Sequence, residues 1–250
     1  QDDPSFSDTF QPRPMDVTAY KQNTVGIQAA LADTSLPTLY WNNHDMARVA
    51  TRYGDPDYPQ ASAKALATAL YLQRGIPIIY YGEELGLTNI RYHDIADFED
   101  QTVPTFVASA QAAGKSKVEI MRMLNQTHKM AGRGPMQWDN TVYHGFSDHL
   151  PWKHGDTDDM NAQAEIADPD SIYHYYQQLL QLKQCAPFTN GQFIMLGSAE
   201  QLFTYLIDDG QKQAAIVCNL SAQAQTYLLP FVGGKVLLVQ GGATYRGRQV

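Results

Sequence analysis

Hydrophobic positions follow two rhythms before residue 190 and a third after it. Two short apolar runs show no alternation: Pro37 to Trp41 (PTLYW) and Ile76 to Tyr81 (IPIIYY). Such runs read as strands buried on both faces, as in a parallel sheet covered by helices. Between them, Ser62 to Gln73 is rich in Ala and Leu and is closed by Gly75, with Pro77 just beyond. The order is strand, helix, strand, the parallel crossover unit. A helical period also links Val17, Tyr20, Val25, Ile27 and Leu31, and again Val118, Met121, Leu124 and His128. A third helix, Asp170 to Lys183, opens on an Asp-Ser cap and carries Ile172, Tyr175, Tyr176, Leu179, Leu180 and Leu182. Residues 1–14 read as lead-in, 94–105 as acidic and irregular, and 132–152 as a Gly- and Pro-containing loop. After Pro187 the texture becomes short β-type runs at 192–196, 202–208, 213–220, 226–229 and 235–239, with Asp209-Gly210 as a hairpin turn. The expected organisation is an α/β domain over residues 1–190 and an antiparallel β-domain over 191–250.

Composition narrows the chemistry. The chain has 250 residues, 44% hydrophobic and 18% charged, which is enough for a sizeable core. Its net charge of −8 disfavours nucleic acid or an anionic membrane as partner, and is neutral toward a sugar. Cys185 and Cys218 are too few for a disulfide framework or a zinc site, so two free thiols in a reducing compartment are expected. No run is long enough to span a membrane, and no signal-like segment opens the chain, so a cytoplasmic location is expected. There is no G-x-G-x-x-G or Walker loop. Asp156, Asp158 and Asp159 begin like a calcium loop, but Met160 stands where a ligand belongs. His144, His149 and His154 recur every five residues and read as surface histidines rather than a metal site. No cofactor is expected in these residues.

The polar knot Asn42-Asn43-His44-Asp45, with Arg48 after it, follows directly on the first apolar run. Ionisable groups placed where a buried parallel strand ends are where α/β barrels put their chemistry. The bland account is that Asn43 or Asp45 caps a turn and His44 satisfies a carbonyl. Spacing alone leaves both open. Other stretches tip the balance. YWNNHDMARVATRYGD resembles the Asn-His-Asp stretch at the seventh barrel strand of the α-amylase family of retaining glycoside hydrolases, most of all its α-glucosidase and oligo-1,6-glucosidase group. GIPIIYYGEELGLTN, from Gly75 to Asn89, is similar to that family's eighth strand and Gly-Glu-Glu turn. RGPMQWDN, from Arg133 to Asn140, resembles its Arg-Thr-Pro-Met-Gln-Trp motif. The resemblance runs from Pro14 to Val239.

It implies the C-terminal portion of a (β/α)8 TIM barrel, strands seven and eight with their helices, followed by an all-β C-terminal domain. The implied substrate is an oligosaccharide cleaved at α-1,6 or α-1,4 glucosidic bonds from its non-reducing end. By resemblance, His44 donates to the hydroxyls of the glucose in the cleavage subsite. Asp45 is the transition-state stabiliser, and Arg133 holds the terminal glucose. Against these stand plainer roles: Arg133 as a surface ion pair, Trp138 and Met136 as loop packing, Glu83 and Glu84 as turn stabilisers. Gly134 replaces the family's Thr, a mild change in a loop, and Thr102 stands where a Glu often lies near the second sugar subsite. The 151–160 stretch is shorter than usual. A retaining glycosidase needs a nucleophilic carboxylate and an acid. In the family these lie on strands four and five, and no such motif occurs here. The chain is therefore expected to be part of a larger enzyme, to need the N-terminal barrel segment, and to be inactive alone. Any calcium site belongs to that segment. The other class in play is a non-catalytic relative, a carbohydrate-binding or transporter-associated ectodomain that lost its acids.

Overall fold

The computed structural model describes residues 10–231 and 233–246. In chain order its elements are α1 (Val17–Ala30), β1 (Thr38–Leu39), α2 (Val49–Tyr53), α3 (Pro59–Tyr71), β2 (Ile76–Pro77), α4 (Thr102–Ala112), α5 (Lys117–Thr127), α6 (Ala162–Ala167), α7 (Ile172–Lys183), β3 (Gln192–Met195), β4 (Leu202–Asp208) and β5 (Gln213–Asn219), with short 3-10 turns at Glu83–Leu85, Ile95–Phe98 and Lys129–Arg133. They group into two compact units. One holds the described part of Gln1–Pro14 with Trp41–Tyr53 and Ile79–Asp168; the other holds Met15–Tyr40, Gly54–Ile78 and Pro169–Val250.

The second of these contains the strand pair. β1 and β2 run parallel, with Thr38 opposite Ile76 and Leu39 opposite Pro77. Helix α3 connects them in sequence and starts on Pro59, whose fixed φ suits a first helical turn. Its Ala- and Leu-rich face is buried, with Tyr71 edge-on to Tyr176 of α7 at 5.9 Å. Helix α1 is capped by Asp16, whose side chain accepts from the Ala19 amide. Its far end is closed by the Arg74 guanidinium, which donates to the carbonyls of Leu31, Ala32 and Ser35. The antiparallel sheet has the order β3-β4-β5, and β4 is buried along almost its whole length. Tyr205 on β4 donates its hydroxyl to Thr68 O of α3, tying sheet to helix. Burial pushes the Cys218 thiol up to about 12, so it stays protonated and inert.

Two expectations about strands change here. The apolar runs 37–41 and 76–81 were expected to be buried on both faces, yet each contributes two paired residues, and Ile76 and Ile78 are 49% and 48% exposed. A parallel pair with no further strand beside it among the described residues leaves its outer side uncovered. The β-type runs 226–229 and 235–239 form no strand of the sheet. Local β-propensity without a partner strand does not make a ladder.

The other unit is built on an apolar cluster of Phe10, Ile90, Phe98, Phe106, Ile120 and Leu124 among others. Residues 94–105, expected to be irregular, begin with a capping box between Asp94 and Asp97 and lead into α4. Helix α5 opens on a second capping box, Ser116 with Glu119. His128 lies in the core at 1% exposure, between Phe10 and Phe98, its Nδ1 accepting from the Met130 amide. Burial holds its imidazole down at about 4, against the pull of the Asp100 carboxylate. The unfolded chain takes up that proton near pH 6.5, so stability is complete above 6.5 and is lost as pH falls toward 4, by about 3 kcal/mol in all. The expected result is a denaturation midpoint that drops across this window, and that drops less in His128→Phe. An unchanged slope in the variant would show that His128 does not set it.

Candidate active site

The Asn42–Arg48 segment is held by its own polar side chains. Asn42, buried, accepts from the Val49 amide at 2.5 Å and donates to Glu83 Oε2 at 2.5 Å. Asn43 accepts from the Asp45 amide at 2.8 Å, a side-chain turn that brings Asp45 round. Asn43 thus has the capping role considered for it, and His44 and Asp45 are left with exposed side chains. Their Nε2 and Oδ2 atoms lie 3.2 Å apart.

Arg133, from a distant part of the sequence, completes the group. Its Nε donates to His44 O at 2.6 Å, and its Nη2 donates to Asp45 Oδ1 at 3.0 Å. Nη1 reaches Met130 Sδ at 3.3 Å. The backbones meet as closely as they can: a Cβ at Gly132 would sit 2.7 Å from Met46 O, so only glycine admits this approach. Gly134 is equally tight. A Cβ there would lie 2.4 Å from Ile90 Cγ2, so Ile90 fills the space a threonine would occupy. The Gly134 replacement is therefore a packing adjustment with a named partner rather than a neutral loop change.

Beneath the pair lies Arg48, 2% exposed. Its Nη1 donates to Tyr81 O at 2.7 Å, and its guanidinium lies over the rings of Tyr80 and Tyr81 at 5.3 and 4.8 Å. Its amide donates to Asn89 Oδ1. Tyr81 carries the framework onward, donating its hydroxyl to Gly134 O at 2.6 Å. Burial pushes the Tyr80 hydroxyl up to about 12, with the nearby charges of Arg48 and Arg133 working the other way. Burial likewise raises the Glu84 carboxyl, opposed by backbone donors and by Arg48. Glu83 opens the turn it was expected to stabilise, and its carboxylate also accepts from Asn42; Tyr80, Tyr81 and Asn89 were not singled out by sequence at all. Tyr80-Tyr81 sits at the end of the second apolar run, and that position was the available signal.

Asp45 also lines an open concavity of about 580 Å³ with Arg13, Met46, Tyr53, Arg122 and Gln126. That volume lies within the range of small-molecule sites. Met136 is buried, as loop packing requires, whereas Trp138 is 53% exposed. Thr102 lies at the start of α4 and donates to Asp100. The three loop histidines do not converge: His149 faces Asp148, His154 faces Pro151 O and His144 faces Thr157. Among the described residues no group of three or more His, Cys, Asp or Glu could hold a metal, and no helix is long and apolar enough to cross a membrane.

The arrangement presents a guanidinium, an imidazole and a carboxylate on a backbone held by buried polar contacts. It can hold neutral hydroxyls by charge-assisted hydrogen bonds. The comparisons with known proteins agree with the motifs. The chain is 32% identical to the oligo-1,6-glucosidase of Halalkalibacterium halodurans over 223 residues, which are 87% of this chain and 40% of that protein. A solved family GH13_31 enzyme superposes with a TM-score of 0.86 at 40% identity, over 97% of this chain and 44% of that one. The trehalose-6-phosphate hydrolase of Bacillus licheniformis superposes at 0.89 with 28% identity, over 100% of this chain and 47% of that one. The chain thus spans about 40% of the length of the curated relative it matches. Residues 3–191 match the catalytic domain of the α-amylases, and the chain belongs to that family.

Proposed function

We propose that this chain is the C-terminal part of a retaining, exo-acting α-glucosidase that hydrolyses α-1,6 or α-1,4 glucosidic bonds in oligosaccharides. β1 and β2 are read as the seventh and eighth strands of a (β/α)8 barrel, with residues 191–250 as its C-terminal β-domain. The observation that carries the reading is that Arg133, 88 residues beyond Asp45 in sequence, reaches Asp45 Oδ1 at 3.0 Å and His44 O at 2.6 Å, while His44 Nε2 lies 3.2 Å from Asp45 Oδ2. A fold that kept only its packing would gain little from this contact, because an exposed ion pair contributes little to stability. The uncovered side of the β1–β2 pair fits a barrel whose neighbouring strands lie in an N-terminal segment.

In this reading His44 donates to glucose hydroxyls at the scissile unit. Asp45 accepts from neighbouring hydroxyls as the ring flattens toward an oxocarbenium ion. Those bonds shorten as positive charge develops, so they lower the barrier rather than bind uniformly. Arg133 holds Asp45 in place and offers its remaining donors to the terminal sugar. The nucleophile and the acid are assigned to the N-terminal segment.

The experiment is substitution of Arg133 by lysine in the complete protein. Lysine keeps the charge but loses the planar fork that spans His44 O and Asp45 at once. Hydrolysis is expected to fall about tenfold or more. The loss should be equal for short and long substrates, because every exo substrate presents the same terminal glucose. A loss confined to long substrates would move Arg133 out of the terminal subsite.

A further inference from the structure

We infer that Tyr81 is a positioning residue for the Arg133–Asp45 pair, acting through its hydroxyl on the Gly134 carbonyl. The inference rests on the site reading above.

Tyr81 is fixed at several points. Its carbonyl accepts from Arg48 Nη1 at 2.7 Å, its ring lies under the Arg48 guanidinium at 4.8 Å, and the tilted Tyr80 ring stands 4.6 Å from it. Arg48 is itself immobilised, buried and bonded through its amide to Asn89 Oδ1, while Asn89 Nδ2 donates to Asn125 O. From this anchored ring the hydroxyl reaches out 2.6 Å to Gly134 O, one residue beyond Arg133. Arg133 then returns to His44 O and Asp45 Oδ1, only a few residues before Arg48. The contacts close a ring through Asp45, Arg48, Tyr81, Gly134 and Arg133.

That closure answers a physical need. Arg133 and Asp45 are partly exposed, and a pair of long side chains in water wanders unless its backbone is fixed. A site must hold its groups to about half an ångström. The close approach of Gly132 to Met46 fixes the loop on one side, and Tyr81 fixes it on the other.

Tyr81→Phe in the complete protein removes the one hydroxyl and leaves the ring, the Arg48 stacking and the carbonyl bond. The four proteins to compare are the parent, Tyr81→Phe, Arg133→Lys and the double variant, assayed on an α-glucoside, with amide exchange followed over residues 131–136. Tyr81→Phe is expected to keep the melting temperature and to lose about five- to tenfold in kcat/KM. The double variant is expected to be no slower than Arg133→Lys alone, because both act through one group. The amides of residues 131–134 and 136 should exchange faster in Tyr81→Phe, residue 135 being proline. Additive kinetic losses, or unchanged kinetics, would overturn the inference. Should the parent show no glucosidase activity, the site reading fails. The exchange measurement still judges Tyr81: faster exchange supports its hold on the loop and unchanged exchange refutes it.

Discussion

Asp45→Asn in the complete protein is expected to fold normally and to hydrolyse α-glucosides at least about a hundredfold more slowly. The asparagine oxygen still accepts from Arg133 Nη2, which lies 3.0 Å from Asp45 Oδ1, so the local geometry survives. What disappears is the negative charge. An ionised acceptor makes hydrogen bonds roughly twice as strong as a neutral one. That difference is felt most when the sugar ring carries positive charge, so the loss should fall on kcat and far less on KM. Steady-state kinetics with a glucoside decides it. A loss below tenfold, or one seen only in KM, would remove Asp45 from the transition-state role and leave it as a structural partner of Arg133.

The parts of this molecule that were legible in its sequence are those specified locally. Helix α1 is capped by Asp16, α5 by Ser116 and α7 by Ser171, each with a side chain accepting a backbone amide, and α7 buries the apolar period read for it, at Ile172, Tyr175, Tyr176 and Leu179. The periods read for α1 and α5 found the helices but not their buried faces: α1 buries Val17, Thr24 and Gln28 and exposes Val25 and Ile27, and α5 buries Ile120, Met123 and Leu124 and exposes Val118. Helix α4 escaped because Pro104 and the β-branched Thr102, Val103, Thr105 and Val107 lower its propensity. Even so, Val103, Phe106 and Ala110 recur at helical spacing and are the residues it buries. The lengths of β1 and β2 were overestimated because pairing depends on neighbours, and an apolar run says nothing of how many strands lie beside it. Within the site, the Asn-His-Asp knot and Arg133 were visible as motifs. The framework beneath them was not. Asn42 to Glu83, Arg48 to Tyr81 and Tyr81 to Gly134 are separated by 41, 33 and 53 residues, and nothing local announces a bond across such a gap. Arg48 looks in sequence like any surface arginine. Only the fold shows it buried against two tyrosine rings.

The second large effect concerns the chain by itself. A retaining mechanism needs a nucleophilic carboxylate and an acid on either side of the bond. Both are assigned to the N-terminal segment, since no motif for either is read in these 250 residues. The β1–β2 pair leaves Ile76 and Ile78 half uncovered, and open apolar strand edges promote association. The 250 residues expressed alone are therefore expected to show no α-glucoside hydrolysis and to run as aggregates on size exclusion. Joining them to the N-terminal barrel segment should give a soluble protein that turns over.

The most direct measurement is α-glucoside hydrolysis by the purified 250-residue chain, run beside the same chain joined to its N-terminal segment. The account predicts no turnover from the first and sustained turnover from the second. Sustained hydrolysis by a monodisperse monomer of the 250 residues would contradict it, and would place both catalytic carboxylates within this chain.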